Sequence, residues 1–488
     1  MTYNKKLKIL FVSAEVSPFA KTGGLADVAG SLPKALAFKG NDVRVVMPRY
    51  KSIKATMNYV TDFPVQMGER KDTCIIRETE VLATGSEGMT KYPVYFVDNY
   101  NYYDKEGIYG HFDDGERFLF LCKAVLEMLP RINFQPDIIH CNDWHTGPVC
   151  MMIKEQYNRQ PFYNGIATVF TIHNLEYQGN FPEDILKFTN LGKEVFTPDK
   201  VEFYGMFSFM KAGIVYADII NTVSGVYARE IQTSEYGERL DGLLRKRSED
   251  LYGIVNGISY EEFNPETDKS IIKNYNVDSV DYKKQNKYAL QKELGLPVGD
   301  MPVVGLISRL SSQKGLDLII KEIDRIMSLD LQFILLGKGD EYYQNAFREI
   351  EKKYKEKFRA RLELNFPLAQ RIYAGSDMFL MPSRFEPCGL GQLISLRFGT
   401  IPIVRATGGL AETITDYDSD NEKGNGFSFN EFSSEQMVNT IERALSLYTG
   451  NPEEWSRLVK RAMSHDFSWK SSAEKYMKLY YTALEKVN

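Results

Sequence analysis

The sequence predicts an α/β protein of two Rossmann-like, doubly wound domains facing a central cleft. In the first half, short apolar, β-branched runs alternate with helical patterns, as expected of a parallel sheet covered on both faces. The rhythm pauses near 251–257, crosses a polar, lysine-rich stretch over about 260–300, and starts afresh at Pro302. At 488 residues the chain is also too long for a single core. The expected division is an N-terminal domain over 1–255, a C-terminal domain over 256–466, and a terminal helix over 467–488 packing back across the hinge.

In chain order, the first strand is the apolar run 7–14, followed by the turn Lys21-Thr22-Gly23-Gly24 and a helical pattern through Leu36. Further strands are expected at 42–47, 93–97, 136–140, 167–172 and 217–223, with a helix at 117–129 before the fourth of these six. Right-handed crossovers between such runs give a doubly wound topology. In the second half, strands are expected at 302–308, 331–337, 378–381 and 401–404, and the polar stretch 260–300 reads as an irregular crossover. Tyr476, Leu479, Tyr480 and Ala483 recur at helical spacing in the tail.

Composition removes several classes of function. A hydrophobic fraction of 43% with 26% charged residues is that of a globular chain. The net charge of −5, from 60 basic and 65 acidic side chains, argues against broad nucleic-acid binding while leaving room for a local basic pocket. No window approaches the run of about 20 apolar residues that spans a membrane. The N-terminal apolar run is only a strand's length, which does not fit a signal peptide. Five scattered cysteines imply no disulfide framework, so a cytoplasmic location is expected.

In an open parallel sheet, ligands bind beyond the carboxyl ends of the strands. The residues standing there are Lys21 with Gly23 and Gly24, Asp143-Trp144-His145, His173-Asn174, Arg309 and Lys314, Glu386 with Cys388-Gly389-Leu390, and Thr407-Gly408-Gly409. A glycine pair opening a helix beside a basic residue lets backbone N–H groups approach an anion, although it is also an ordinary strand-to-helix connection. Lys21, Arg309 and Lys314 are fixed cations among few carboxylates. Such a set suits a leaving group with several negative charges, such as a nucleoside diphosphate, without a metal. His140, Cys141, His145 and Cys150 fit no paired zinc spacing, so no metal site is expected, and no other cofactor is called for.

Six segments in order then resemble bacterial glycogen synthases and the related plant starch synthases. They are Lys21 to Val28, Asn142 to His145, Thr171 to Asn174, Ser308 to Gly315, Pro382 to Leu390 and Arg405 to Leu410. The resemblance runs from about residue 7 to the C-terminal helix. It implies a GT-B fold and transfer of glucose from ADP-glucose to the non-reducing end of an α-1,4-glucan such as glycogen, with retention of configuration. By that resemblance Lys21 and the Gly23-Gly24 turn approach the donor phosphates from the N-terminal domain. Arg309 and Lys314 hold the diphosphate, and Thr407, Gly408 and Gly409 offer it backbone N–H groups. Glu386 contacts the glucosyl ring beside the Cys388-Gly389-Leu390 turn, His173 binds the sugar near the reacting carbon, and Asp143 positions hydroxyls or the acceptor. The departing phosphate can then act as base on the face it leaves.

The chain departs from the family pattern at Ser259, Phe263, Ser224-Gly225 and Glu238-Arg239, the last pair in a loop that is usually glycine-rich. Leu364 falls about where an aromatic often stacks on adenine, and a shift of register gives that role to Phe366. UDP-glucose or another sugar nucleotide in place of ADP-glucose, and a catalytically silent glucan- or nucleotide-binding paralogue, are the alternatives. A phosphorylase is disfavoured because it needs a lysine-bound pyridoxal phosphate. Two domains sharing one substrate imply closure about a hinge near Asn256-Gly257. Oligomeric state is not legible in the sequence.

Overall fold

A computed structural model describes residues 5–85, 88–420 and 422–487. The chain forms two compact units, one made of Met1–Gly257 with Trp469–Asn488 and the other of Ile258–Ser468.

Unit 1 is built on a nine-stranded sheet. Its strands are β1 (Lys8–Val12), β2 (Asp42–Pro48), β3 (Asn58–Met67), β4 (Arg70–Gly85), β5 (Gly88–Asp98), β6 (Ile138–Asn142), β7 (Ala167–Ile172), and then β11 (Ile219–Thr222) and β12 (Leu251–Gly253). Between the last two groups, β8 (Asn180–Pro182), β9 (Glu202–Phe203) and β10 (Met206–Ser208) make a separate three-stranded sheet. The order of the large sheet is β12-β11-β7-β6-β1-β2-β5-β4-β3. It is parallel from β12 to β5, and β5-β4-β3 run antiparallel. The parallel strands β6, β7 and β11 are buried at every position, as two covered faces require.

The expected strands of the parallel region are present, with one shift that matters. The run expected at 136–140 is β6 at Ile138–Asn142, so Asn142 ends the strand and Asp143 is the first residue beyond it. Strands β3 and β4 were not expected, because their positions vary between buried and exposed and carry many charges, whereas the run expected at 93–97 lies within β5.

The helix Trp469–Glu485 completes unit 1. Its Tyr476, Leu479, Tyr480 and Ala483 are all buried. Its hydroxyls enter a polar network at the sheet: Tyr480 Oη lies 2.8 Å from His140 Nδ1, and Asn221 Nδ2 donates to Tyr476 Oη at 3.1 Å. Thr171 Oγ1 joins the two, 2.7 Å from His140 Nε2 and 3.2 Å from Asn221 Nδ2. Ser472 Oγ donates to Val255 O at 2.9 Å and Tyr481 Oη to Lys5 O at 2.6 Å.

Unit 2 holds a six-stranded, wholly parallel sheet of β13 (Val303–Ile307), β14 (Gln332–Leu336), β15 (Phe358–Arg361), β16 (Met378–Met381), β17 (Ile401–Arg405) and β18 (Phe427–Phe429), in the order β15-β14-β13-β16-β17-β18. The lysine-rich stretch expected to be an irregular crossover instead contains a helix, Lys283–Glu293, packed on the helix Phe366–Gly375. Its lysines are not a solvated face. Lys283 Nζ donates to Tyr373 O at 3.0 Å, Ala374 O at 2.8 Å and Thr400 Oγ1 at 2.7 Å, while Lys287 pairs with Asp377 at 2.8 Å. A buried ammonium is tolerated when its donors are satisfied in this way, although burial still pulls the Lys283 pKa down to about 7. All five cysteines are buried thiols outside any disulfide. Among the described residues no helix is long and apolar enough to cross a membrane.

Candidate active site

In unit 1 the candidate residues stand beyond the ends of β1, β6 and β7. The β1 loop is organised by a residue that the sequence reading missed, Glu15. Its buried carboxylate accepts from Thr22 N–H, from Thr22 Oγ1 at 2.6 Å, from Gly23 N–H at 3.2 Å and from Tyr109 Oη at 2.6 Å. Four donors on one carboxylate fix the Lys21-Thr22-Gly23-Gly24 turn in a charge-assisted network. The helix Gly24–Phe38 starts directly from it. A methyl group on Gly24 would meet nothing within 4 Å, so that position faces open space. Lys21 is half-exposed and ion-paired with Asp27 at 2.5 Å. The sequence signal for Glu15 was present, since it lies three residues past the end of β1, where the strand-end rule looks.

Asp143 sits at φ +61°, a left-handed backbone that its neighbours enforce: Asp143 N donates to Thr171 O at 2.8 Å, and Thr146 N donates to Asp143 O at 3.0 Å. A non-glycine residue held there stores strain of the kind that clusters at functional sites. Its side chain is buried, with Oδ1 lacking a hydrogen-bond partner among the described residues. Burial raises the carboxyl pKa from 3.8 to about 8. Trp144 and His145 stack with ring centroids 3.8 Å apart, and Tyr109 stacks on His145 at 4.9 Å.

His173 keeps an accessible edge, yet it lies deep enough that burial lowers its pKa to about 3, so it is neutral at working pH. Its tautomer follows from Asn142. The Asn142 Nδ2 group donates to Val12 O at 3.1 Å and His140 O at 3.2 Å, which turns Oδ1 toward His173 Nε2 at 3.0 Å. Nε2 therefore carries the proton, and Nδ1 is left as a hydrogen-bond acceptor.

The Asp143 shift has a consequence for stability. The folded state binds this proton more tightly than the unfolded chain. The resulting stability is complete below about pH 4 and is lost as pH rises through about 8. Asp143→Asn removes that loss. The variant is expected to melt several degrees above the parent at pH 8.5, with the gap narrowing toward pH 5, while losing at least about 100-fold in activity. Parallel melting curves across that range would contradict the assignment.

In unit 2 three loops, following β13, β16 and β17, meet at Glu386. Gly315 has φ +67°, and a Cβ there would lie 1.9 Å from Pro382 O, so only glycine lets the first loop press against the second. Arg384 N donates to Gln313 O at 2.8 Å and Gln313 Nε2 to Phe385 O at 3.2 Å. This zipper brings Lys314 Nζ to 2.7 Å from Glu386 Oε2, which also accepts from Ser383 Oγ at 2.9 Å. Arg309 stands in the same β13 loop, between Ser308 N and Leu310 N, which donate to Leu336 O and Lys338 O at 3.1 Å each.

The third loop carries Thr407, Gly408 and Gly409. Two of its backbone N–H groups have partners within the protein. Thr407 N donates to Arg405 O at 3.0 Å, and Gly409 N to Glu386 O at 3.0 Å. What this turn provides is close approach, because a Cβ on Gly408 or Gly409 would lie 2.1 Å from Glu386 O or 2.0 Å from Cys388 O. Gln392 Nε2 donates to Cys388 O at 2.9 Å and Gly389 O at 3.0 Å, holding the Cys388-Gly389-Leu390 turn with Gly389 at φ +74°. Leu364 and Phe366 are both exposed, and the Phe366 ring lies 6.0 Å from that of Phe263. Among the described residues no group of three or more His, Cys, Asp or Glu side chains could hold a metal ion.

These arrangements have relatives. Residues 8–246 match the family described as starch synthase catalytic domain, and residues 290–464 match glycosyl transferases group 1. The chain is 58% identical to a glycogen synthase of Desulforudis audaxviator, covering 100% of this chain and 98% of that one. It is 56% identical to a glycogen synthase of Moorella thermoacetica, covering 99% and 98%. The catalytic domain of starch synthase IV from Arabidopsis thaliana, solved bound to ADP and acarbose, superposes with a TM-score of 0.90 at 35% identity, over 99% of this chain and 100% of that one.

Proposed function

The chain belongs to the glycogen and starch synthase family of GT-B glycosyltransferases, and from that premise we propose that it transfers glucose from ADP-glucose to the non-reducing end of an α-1,4-glucan with retention of configuration. The observation that carries the reading is the Lys314–Glu386 contact at 2.7 Å, a cation and a carboxylate held together at the ends of parallel strands, where ligands of such sheets bind. The related starch synthase, solved with ADP and acarbose, supports the same pairing of nucleotide and glucan.

In this reading Arg309 and Lys314 stabilise the charge that grows on the diphosphate as the glycosidic bond breaks. Glu386 Oε2 is shared by Lys314 and Ser383, and in this reading the carboxylate orients sugar hydroxyls. The bare Nδ1 of neutral His173 accepts from a sugar hydroxyl, and Asp143 in its protonated form donates to one. The leaving phosphate takes the acceptor's proton on the face it departs, so configuration is kept without a covalent enzyme intermediate.

Donor competition tests the reading directly. With glycogen primer present, kcat/KM for ADP-glucose is expected to exceed that for UDP-glucose, and the new linkage to be α by its susceptibility to an α-1,4-specific amylase. Faster turnover of UDP-glucose, or a β product, would overturn it. Lys21 belongs to unit 1, whereas Arg309 and Lys314 belong to unit 2. Lys21→Ala is therefore expected to lower kcat by about 10- to 100-fold while the Kd for ADP changes less than about threefold. Equal losses in both would assign Lys21 to ground-state binding instead.

A further inference from the structure

Away from the residues that face a ligand, unit 1 buries an arginine completely, Arg117 in the first turn of the helix Asp114–Arg131. Its Nη1 donates to Asp114 Oδ1 at 2.9 Å and to Ile108 O at 2.8 Å. The rest of the guanidinium packs among rings, its carbon 5.0 Å from the Phe118 centroid, 5.5 Å from that of Tyr103 and 5.7 Å from that of Tyr50. A charge taken out of water in this way depends on its counter-ion and on those ring faces. Asp114 also lies in the first helical turn, where the helix N-terminus favours a carboxylate.

What the pair holds is the segment before the helix. Asp114 Oδ2 accepts from Gly110 N at 2.8 Å and from His111 N at 3.3 Å, and Arg117 takes Ile108 O. Three backbone groups on the two sides of Tyr109 thus end on one ion pair. Gly107 and Gly110 have φ of +78° and +88°, and a Cβ on either would meet nothing within 4 Å, so packing at these glycines does not hold the stretch. Tyr109, fixed between the anchored groups, touches two parts of the candidate site. Its hydroxyl donates to Glu15 Oε1 at 2.6 Å, and Glu15 binds the backbone N–H groups of Thr22 and Gly23. Its ring stacks on His145 at 4.9 Å and 25°, two residues past Asp143.

We propose that the Asp114–Arg117 pair positions the machinery of transfer: by fixing Tyr109 it sets, through Glu15, the backbone from which Lys21 reaches the donor phosphates. The inference rests on the reading of Lys21 given above. An ion pair enclosed by rings enforces one geometry, since any displacement strands a buried charge. Tyr109 is a short, rigid side chain engaged at both ends, so a shift at the pair becomes a shift at the Lys21-Thr22-Gly23-Gly24 turn. Asp114 and Arg117 touch no ligand in this scheme and act only through Tyr109.

The test uses the full chain with Tyr109→Phe, which removes one hydroxyl and keeps the ring contacts, and with Asp114→Glu, which keeps the pair charged but moves its acceptor by one methylene. Each is made alone and together with Lys21→Ala. The readouts are kcat, KM for ADP-glucose and for glycogen, and amide exchange at Thr22 and Gly23. Each single variant is expected to lower kcat about tenfold, with the glycogen KM changed less than about twofold and faster exchange at both amides. Combined with Lys21→Ala, the further loss should shrink to less than about twofold, because the turn no longer carries its ammonium. An undiminished loss in that background would overturn the proposal. A raised glycogen KM at constant kcat would also overturn it, by making Tyr109 an acceptor contact. Slow exchange retained at Thr22 and Gly23 in Asp114→Glu would overturn the part assigned to the ion pair. If Lys21→Ala alone kept the parent's kcat, the donor-contact reading would fall instead, and amide exchange alone would decide whether the pair fixes the turn.

Discussion

Replacing Lys314 by alanine is expected to lower kcat by about 100- to 1,000-fold, equivalent to about 3–4 kcal/mol of barrier, the loss seen when one well-placed donor to a developing anion is removed. The size follows from where the ammonium is held. Gly315 and the Gln313 contacts press its loop against Pro382 to Phe385, and the ammonium lies 2.7 Å from Glu386 Oε2 with its side chain only 22% exposed. A cation so fixed needs no reorganisation when the bond breaks. A purely structural role, in which Lys314 only neutralises Glu386, predicts something different. In that case Glu386→Gln would relieve the defect, and the double variant would be no worse than Glu386→Gln alone. The expected outcome is that the double variant stays at least about 100-fold below Glu386→Gln, measured as kcat with saturating donor. Recovery to the Glu386→Gln level would reduce Lys314 to a positioning residue.

Truncation after Ser468 is expected to unfold unit 1 while leaving unit 2 folded. The helix Trp469–Glu485 places Trp469, Ala473, Tyr476, Leu479, Tyr480 and Ala483 in the core of unit 1. Burial of a large apolar side chain contributes about 1.5–3 kcal/mol. Removal also takes from His140 and Asn221, both fully buried, their tyrosine hydroxyl partners, at about 1–3 kcal/mol for each group left unsatisfied. Together these reach the order of 10 kcal/mol, the whole stability of a typical domain. Calorimetry of the truncated chain should show one transition where the intact chain shows the melting of both units, and proteolysis should spare 258–468. Protection of β6 and β7 from hydrogen exchange in the truncated chain would contradict this. Tyr480→Phe is the milder counterpart, expected to cost about 1–3 kcal/mol because only one partner of His140 is lost.

The sheets were legible in the sequence where burial on both faces left uninterrupted apolar runs, as in β7, β13 and β17. They were illegible where one face meets solvent. In β3, β4 and the start of β5, charged residues such as Glu78, Glu80 and Lys91 occupy the open face and hide the strands. The helix Lys283–Glu293 was hidden for the opposite reason. Its lysines looked solvated, yet Lys283 and Lys287 are buried against carbonyl oxygens and Asp377, a pairing that only the tertiary structure supplies. Of the candidate residues, the strand-end rule singled out Lys21, Asp143 and His173 in unit 1 and Arg309, Lys314 and Glu386 in unit 2, and each stands in a loop beyond a parallel strand, because topology alone decides where strands end. It passed over Glu15, whose importance lies in four hydrogen bonds rather than in any motif. The protonation of Asp143 and the tautomer of His173 were likewise beyond a one-dimensional reading, since each depends on burial and on the orientation of a neighbouring amide.

Unit 1 is the part of the chain interrupted in sequence: its first stretch ends at Gly257 and its last begins at Trp469. During synthesis, the whole of unit 2, Ile258–Ser468, must be added before the closing helix starts to emerge. At about 5–20 residues per second, that is a wait of roughly 10–40 s. For that interval the sheet's β6, β7 and β11 stand without their covering helix, with His140 and Asn221 unpartnered by it, while unit 2 can complete itself. The nascent chain thus carries an exposed apolar face for a large part of its production time. The yield of folded protein is therefore expected to depend on translation speed and chaperone supply more than on the stability of the finished molecule.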